Sequence, residues 1–152
     1  MNDTALLNDT IVVEIDIAAP PERVFQAWID PQQRLAWWGD DTSYRTTKFD
    51  SDLRVGGKWF TEGTKGTEGE GFTISGEYTR VEPPRALAFT WNNSWSGVGP
   101  PETHVLIELI PTSSGTHVTL THSGFKSESS RDGHNQGWMR VLNWLVAYMQ
   151  KR

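Results

Sequence analysis

Two histidines, His122 and His134, have the residue type and the placement for chemistry in this chain. THVTLTHSGF alternates, so that Val118, Leu120 and His122 share the inward face of a strand. GHNQGWMRVLNWLVAYM places His134 on the apolar side of a helix that begins just after that strand's loop. Both rings are therefore expected at the same end of the space between strand and helix. A neutral imidazole near pH 7 can take or give a proton, or donate a hydrogen bond to a ligand. The plain alternative is that each is a hydrogen-bonded structural residue, His134 near the start of its helix and His122 on backbone. His104 and His117 have outward parity and are expected in solvent.

Other chemistry lacks its signature. Four scattered histidines without H-x-x-x-H or H-E-x-x-H spacing predict no metal site. No glycine-rich turn leads from a strand into a helix with the phosphate-binding pattern, and no G-x-S-x-G elbow exists. Cysteine is absent, which removes disulfides, thiolate ligands and a cysteine nucleophile. No cofactor is expected. Glu62, Glu68 and Glu70 crowd a glycine-rich hairpin and read as a solvated loop.

The eight tryptophans are the unusual feature of the composition. They read either as an aromatic core or as the wall of a pocket, and a pocket wall is itself part of a core. The candidate ligand-contacting residues are Trp37, Trp38, Phe60, Phe72, Trp91, His122, Phe125, His134, Trp138 and Leu142, with Trp59 a further ring in the wall. Neighbours on a helix differ by about 100°, so one of Trp37 and Trp38 is expected to be partly exposed or to reach toward the cavity's opening. Trp59 and Phe60 alternate across a strand, so one faces inward. Trp95, in the NSWSG loop, reads equally as a lid ring or an exposed residue. Gly137 beside Trp138 is expected to admit a ring or the sheet close to the helix, at a cost of ~1 kcal/mol relative to alanine.

The elements that must position these residues follow from periodicity. TIVVEIDI alternates as a half-buried strand, with Ile11, Val13, Ile15 and Ile17 on one side. Pro20 or Pro21 opens a short helix with Val24, Phe25 and Trp28 on its apolar stripe, and Pro31 opens a second that Gly39 ends. From Tyr44 to Gly124, strands and turns alternate: YRTTKF, GKWFTE, FTISGEYTRV, RALAFTW, THVLIELI and THVTLTHSGF. Gly76 in the third marks a bulge or a close backbone approach. Hairpin-length connections imply an antiparallel sheet, and a long helix starting near Arg131 or Asp132 must cover one face of it. The result is an α+β fold in a single domain spanning 1–152. The helix's apolar side is about 160° wide, more than the ~100° needed on a flat core, which predicts a curved sheet cradling it and an incompletely filled gap.

A formal charge of −5 and a pI near 5.3 argue against nucleic-acid and anionic-membrane partners. No apolar run approaches a membrane span. MNDTALLNDT lacks the basic start and apolar run of a signal peptide. A cytoplasmic location is expected.

In order, APPERVFQAWIDPQQRLAWW, SDLRVGGKWF, GEYTRVEPPRALAFTW, GTHVTLTHSGF and GHNQGWMRVLNWLVAYM resemble the SRPBCC or START-related superfamily, the helix-grip fold of the birch-pollen allergen. Within it the chain looks like the heat-shock-chaperone ATPase activator (Aha-type) C-terminal-domain-like family. The resemblance spans nearly the whole chain and implies a seven-stranded antiparallel sheet wrapped around the C-terminal helix, two short helices after the first strand, and an internal cavity. It implies binding of a small hydrophobic or aromatic ligand there. Two alternatives stay open: a cyclase- or hydrolase-like enzyme using the two histidines, and a protein-interaction module partnering a chaperone or a second copy of the chain.

Overall fold

The computed structural model describes residues 8–40, 44–65, 71–93 and 102–151. Its elements run β1 (Thr10–Ile17), α1 (Pro21–Ile29), α2 (Pro31–Trp37), β2 (Tyr44–Ser51), β3 (Lys58–Lys65), β4 (Gly71–Glu82), β5 (Ala86–Asn93), β6 (Thr103–Thr112), β7 (Gly115–Ser123) and α3 (Glu128–Gln150). The strands form one curved antiparallel sheet in the order β1-β7-β6-β5-β4-β3-β2. The two short helices and the long one make this an α+β fold, as the sequence implies.

Alternation puts one row of apolar side chains under α3. Tyr78, Phe89, Val105, His122 and Ile11 are successive cross-strand partners on that inner face, and all are buried. From above, α3 buries Trp138, Val141, Leu142, Leu145 and Met149, with His134, Trp144 and Tyr148 half-buried on its flanks. This is the wide apolar side expected from the sequence. The helix starts earlier than expected, at Glu128. Ser127 caps it by accepting from the Ser130 amide at 3.1 Å, so a polar first turn without apolar periodicity is still helical.

In α1, Val24, Phe25 and Trp28 face the core. In α2, Asp30 accepts from the Gln32 amide and Pro31 supplies the first turn. Gly76 is a close approach: a Cβ there would sit 1.9 Å from the Thr90 carbonyl oxygen, with Trp59 Nε1 at 2.8 Å.

Candidate functional site

Six tryptophans form a continuous series of ring contacts between α1, α2, α3 and the sheet. Trp28 meets Trp37 at 5.2 Å and Trp38 at 5.7 Å; Trp38 meets Trp138 at 5.7 Å; Trp138 meets Trp91 at 5.0 Å; Trp91 meets Trp59 at 5.9 Å. Trp37 and Trp38 are both buried, so neither is partly exposed, and Trp38 is the one of the two that borders the space beside α3. The 100° rule ends with the helix: α2 stops at Trp37, and Trp38 has extended backbone (φ −92°, ψ 94°) that turns its ring back inward. The Arg34 guanidinium lies 4.3 Å from the Trp38 ring centre and 4.1 Å from that of Phe49, and it donates to the Trp28 carbonyl at 2.9 Å.

His122 is fully buried with both ring nitrogens engaged. The Trp138 indole N–H donates to His122 Nδ1 at 2.9 Å. An indole nitrogen can only donate, so Nδ1 carries a lone pair and the proton of the neutral ring sits on Nε2. That proton faces Thr103 Oγ1, 2.7 Å away, and the Thr103 hydroxyl donates onward to the Trp91 carbonyl at 3.2 Å. Every donor in this series meets an acceptor. Burial, and then repulsion from His134 and His104, push the His122 pKa down to about 2. The ring is a neutral structural tie between α3 and the sheet.

His134 lies with its ring centre 5.3 Å from that of His122, so the expected pairing of the two rings is present. Its Nδ1–H donates to the Ser130 carbonyl one turn earlier, at 2.8 Å, which makes Nε2 the acceptor nitrogen of the neutral ring. Burial lowers its pKa and the Ser130 bond opposes that shift. Phe125 packs against both rings, at 4.4 Å from His122 and 5.0 Å from His134.

The rings leave little of the expected gap. A cleft of about 50 Å³ remains between the first half of α3 and the sheet, lined by Trp38, Ile74, Trp91, Gly133, His134, Gly137, Trp138 and Val141. For scale, an engineered cavity of roughly 150 Å³ admits benzene. Contrary to the expectation of a close approach at Gly137, no described ring or strand comes near it. Among the described residues nothing lies within 4 Å of where a Cβ would stand on Gly133 or Gly137, and both instead border the cleft.

Of the predicted contact residues, Trp38, Trp91, His134 and Trp138 line this cleft. His122 and Phe125 stand behind it, and Trp37 is packed against Trp28 and Trp38 while donating to the Ala27 carbonyl at 2.8 Å. Leu142 is fully buried among the core residues. Phe72 is the cross-strand partner of Gly63 on β3, its ring over that glycine. Phe60 is on the opposite face of β3 from Trp59, with the Lys48 ammonium 5.2 Å from its ring. Trp95 and Glu68 and Glu70 lie outside the described residues. Sequence reasoning missed Ile74, Val141, Gly133 and Thr103; the parity of β6 and the four-residue spacing of Gly133 and Gly137 were the available signals.

Phe60 also borders a broad groove of about 600 Å³ on the outer face, with Asp50, Lys58, Ser75, Glu77 and Glu102. Some of its charges are paired within the chain: Lys58 bonds Glu77 at 2.7 Å, and Lys48 lies 3.7 Å from Asp50. Among the described residues no cluster of histidine and carboxylate side chains could hold a metal ion, and no helix is long and apolar enough to cross a membrane.

A sequence profile described as Activator of Hsp90 ATPase homolog 1-like protein matches residues 18–150. Among solved structures, the protein CV1439 from Chromobacterium violaceum is similar with a TM-score of 0.80 at 26% identity, over 91% of this chain and 96% of that one. An AHSA1-like protein from Aeromonas hydrophila gives 0.78 at 26% identity, over 93% and 92%. The AHSA1 protein from Silicibacter pomeroyi gives 0.78 at 27% identity, over 93% and 97%. No curated protein matches the chain.

Proposed function

This chain belongs to the family of Activator of Hsp90 ATPase homolog 1-like proteins, and we propose that within it the chain binds a small apolar or aromatic molecule at the cleft between α3 and the sheet. The observation that carries this reading is the lining: three indole rings, Ile74, Val141 and a half-buried histidine around two glycines whose Cβ positions face open space. Pockets for small ligands have this make-up, an apolar wall with few polar groups fixing orientation. Because the cleft holds only about 50 Å³, a ligand enters it with one edge or end group and lies partly at the mouth, or binds as the first half of α3 shifts outward.

Binding is favoured over turnover. An acid–base pair needs a nitrogen within reach of the reacting atom, and both nitrogens of His122 are already bonded to Trp138 and Thr103. The family match also supports a second reading, contact with a chaperone partner. Among the described residues the exposed large apolar side chains, Val12, Leu35, Val55, Ile110 and Met139, are spread over four elements and one loop.

Native mass spectrometry of the protein as purified, combined with tryptophan fluorescence against a panel of aromatic and acyl compounds, tests the proposal. A retained small molecule, or a saturable change with panel members, is the expected result. No retained mass and no spectral change with any compound would overturn it. Stimulation of a purified chaperone ATPase by a protein that fails both tests would favour the partner reading.

A further inference from the structure

The opening stretch of α3, ESSRDGHNQG, holds no apolar side chain, and none of its residues is buried. The buried residues of the helix, Trp138, Val141, Leu142, Leu145 and Met149, all lie beyond Gly137. Trp138 is the first of them, and its indole N–H ties the helix to His122 at 2.9 Å. The helix therefore has two parts, a later one held by packing and an earlier one held by local bonds. A stretch as short as the earlier one is not stable as a helix on its own in water. Gly133 and Gly137 weaken it further, each by about fivefold in the helix equilibrium relative to alanine. Among the described residues nothing packs within 4 Å of either Cβ position, so no contact offsets that loss.

The contacts that hold the earlier part lie at its margins. Ser127 caps it, accepting from the Ser130 amide at 3.1 Å. The Arg131 guanidinium donates to the Asn8 carbonyl at 2.8 Å, just ahead of β1. The His134 ring rests against Phe125, with ring centres 5.0 Å apart. Segments with few buried apolar contacts open locally at far lower cost than the whole domain unfolds. The same stretch walls the cleft: Gly133, His134 and Gly137 belong to it, whereas Trp38, Ile74, Trp91 and Trp138 belong to packed parts of the molecule.

We propose that residues 128–137 are a gate that swings on Gly137, opening as a unit while α3 from Trp138 onward stays in place. Closed, the gate leaves a space of about 50 Å³. Open, it bares a floor of indole rings to molecules larger than that space. The opening follows from the helix alone; its control of admission to the cleft rests on the binding reading above.

Native-state hydrogen exchange of the full-length protein, followed by NMR at several low denaturant concentrations, measures the opening. Relative to their intrinsic rates, the amides of residues 132–137 are expected to exchange at least about a hundredfold faster than those of residues 142–149, with little dependence on denaturant. Equal protection in both stretches, falling together as denaturant rises, would overturn the gate. Arg131→Gln removes the tie to Asn8 without altering the cleft lining. It should speed exchange over residues 132–137 about three- to tenfold, and the association rate of toluene, followed by tryptophan fluorescence, should rise by the same factor. An unchanged toluene association rate alongside faster exchange would overturn the gate's control of admission. No toluene binding up to its solubility, with the exchange contrast present, would overturn the binding reading and leave the local opening standing. Should Arg131→Gln fail to fold, the wild-type exchange contrast decides alone.

Discussion

The Trp138 indole nitrogen and His122 Nδ1 lie 2.9 Å apart, and that one bond makes the histidine a structural acceptor. A donor-only partner fixes the tautomer, and Thr103 takes the remaining proton at 2.7 Å. Trp138→Phe keeps most of the ring but orphans Nδ1 in the interior. The expected loss of stability is about 1–3 kcal/mol, beyond the small change in packing. Denaturant unfolding of the variant measures it, and ¹⁵N shifts of His122 should report a proton on Nε2 in the wild type.

The pKa of about 2 for His122 makes a pH prediction with a definite sign. The unfolded chain binds a proton near the ordinary 6.5 and the folded chain does not. Its contribution to stability is complete above 6.5 and is lost as pH falls from there toward 2, at up to about 1.4 kcal/mol per pH unit. His122→Leu should flatten that acid limb in unfolding measurements across this range. An unchanged acid limb would mean that His122 titrates normally in the folded protein.

On the outer face His117 behaves in the opposite sense. Its Nε2 lies 2.7 Å from Glu14 and its Nδ1 2.8 Å from Asp16, bridging β7 to β1. Hydrogen bonds to Glu14 and then to Asp16 raise its pKa above 6.5. The stabilisation is fully present below 6.5 and is lost as pH rises through the raised value. NMR titration of the His117 ring should give a midpoint above 6.5 that falls back in Glu14→Gln and in Asp16→Asn.

Two glycines should respond oppositely to the same change. At Gly76 a Cβ would meet the Thr90 carbonyl oxygen at 1.9 Å, so Gly76→Ala should cost at least the ~1–3 kcal/mol of overpacking. At Gly137 nothing among the described residues stands in the way, so Gly137→Ala should stabilise by roughly 1 kcal/mol. Thermal unfolding of the two variants side by side checks both signs.

Arg34 is buried between the rings of Trp38 and Phe49, with Cζ 4.3 Å and 4.1 Å from their centres. A planar guanidinium stacks there and an ammonium does not. Arg34→Lys should therefore destabilise by about 1–2 kcal/mol despite keeping the charge, as read from the denaturation midpoint.

Much of this molecule is legible in the sequence because alternation and capping are local. The parity of THVTLTHSGF places His122 inward, and the stripe from Trp138 to Met149 gives the helix its buried side. Expectation failed where local rules end. Trp38 lies one residue past the helix, so helical spacing no longer governs where its ring points. The polar first turn of α3 is helical because Ser127 caps it, with no hydrophobic period to reveal it. The partners of His122 come from β6 and α3, nineteen and sixteen residues away in sequence. How far six indoles fill the space between helix and sheet depends on ring orientation, which residue spacing does not encode.

Diffraction from a crystal pressurised with xenon tests the cleft most directly, since xenon enters small dry apolar spaces and scatters strongly. The account predicts a xenon atom between Gly137, Trp91 and Trp138. Xenon found elsewhere in the protein while that position stays empty would contradict it.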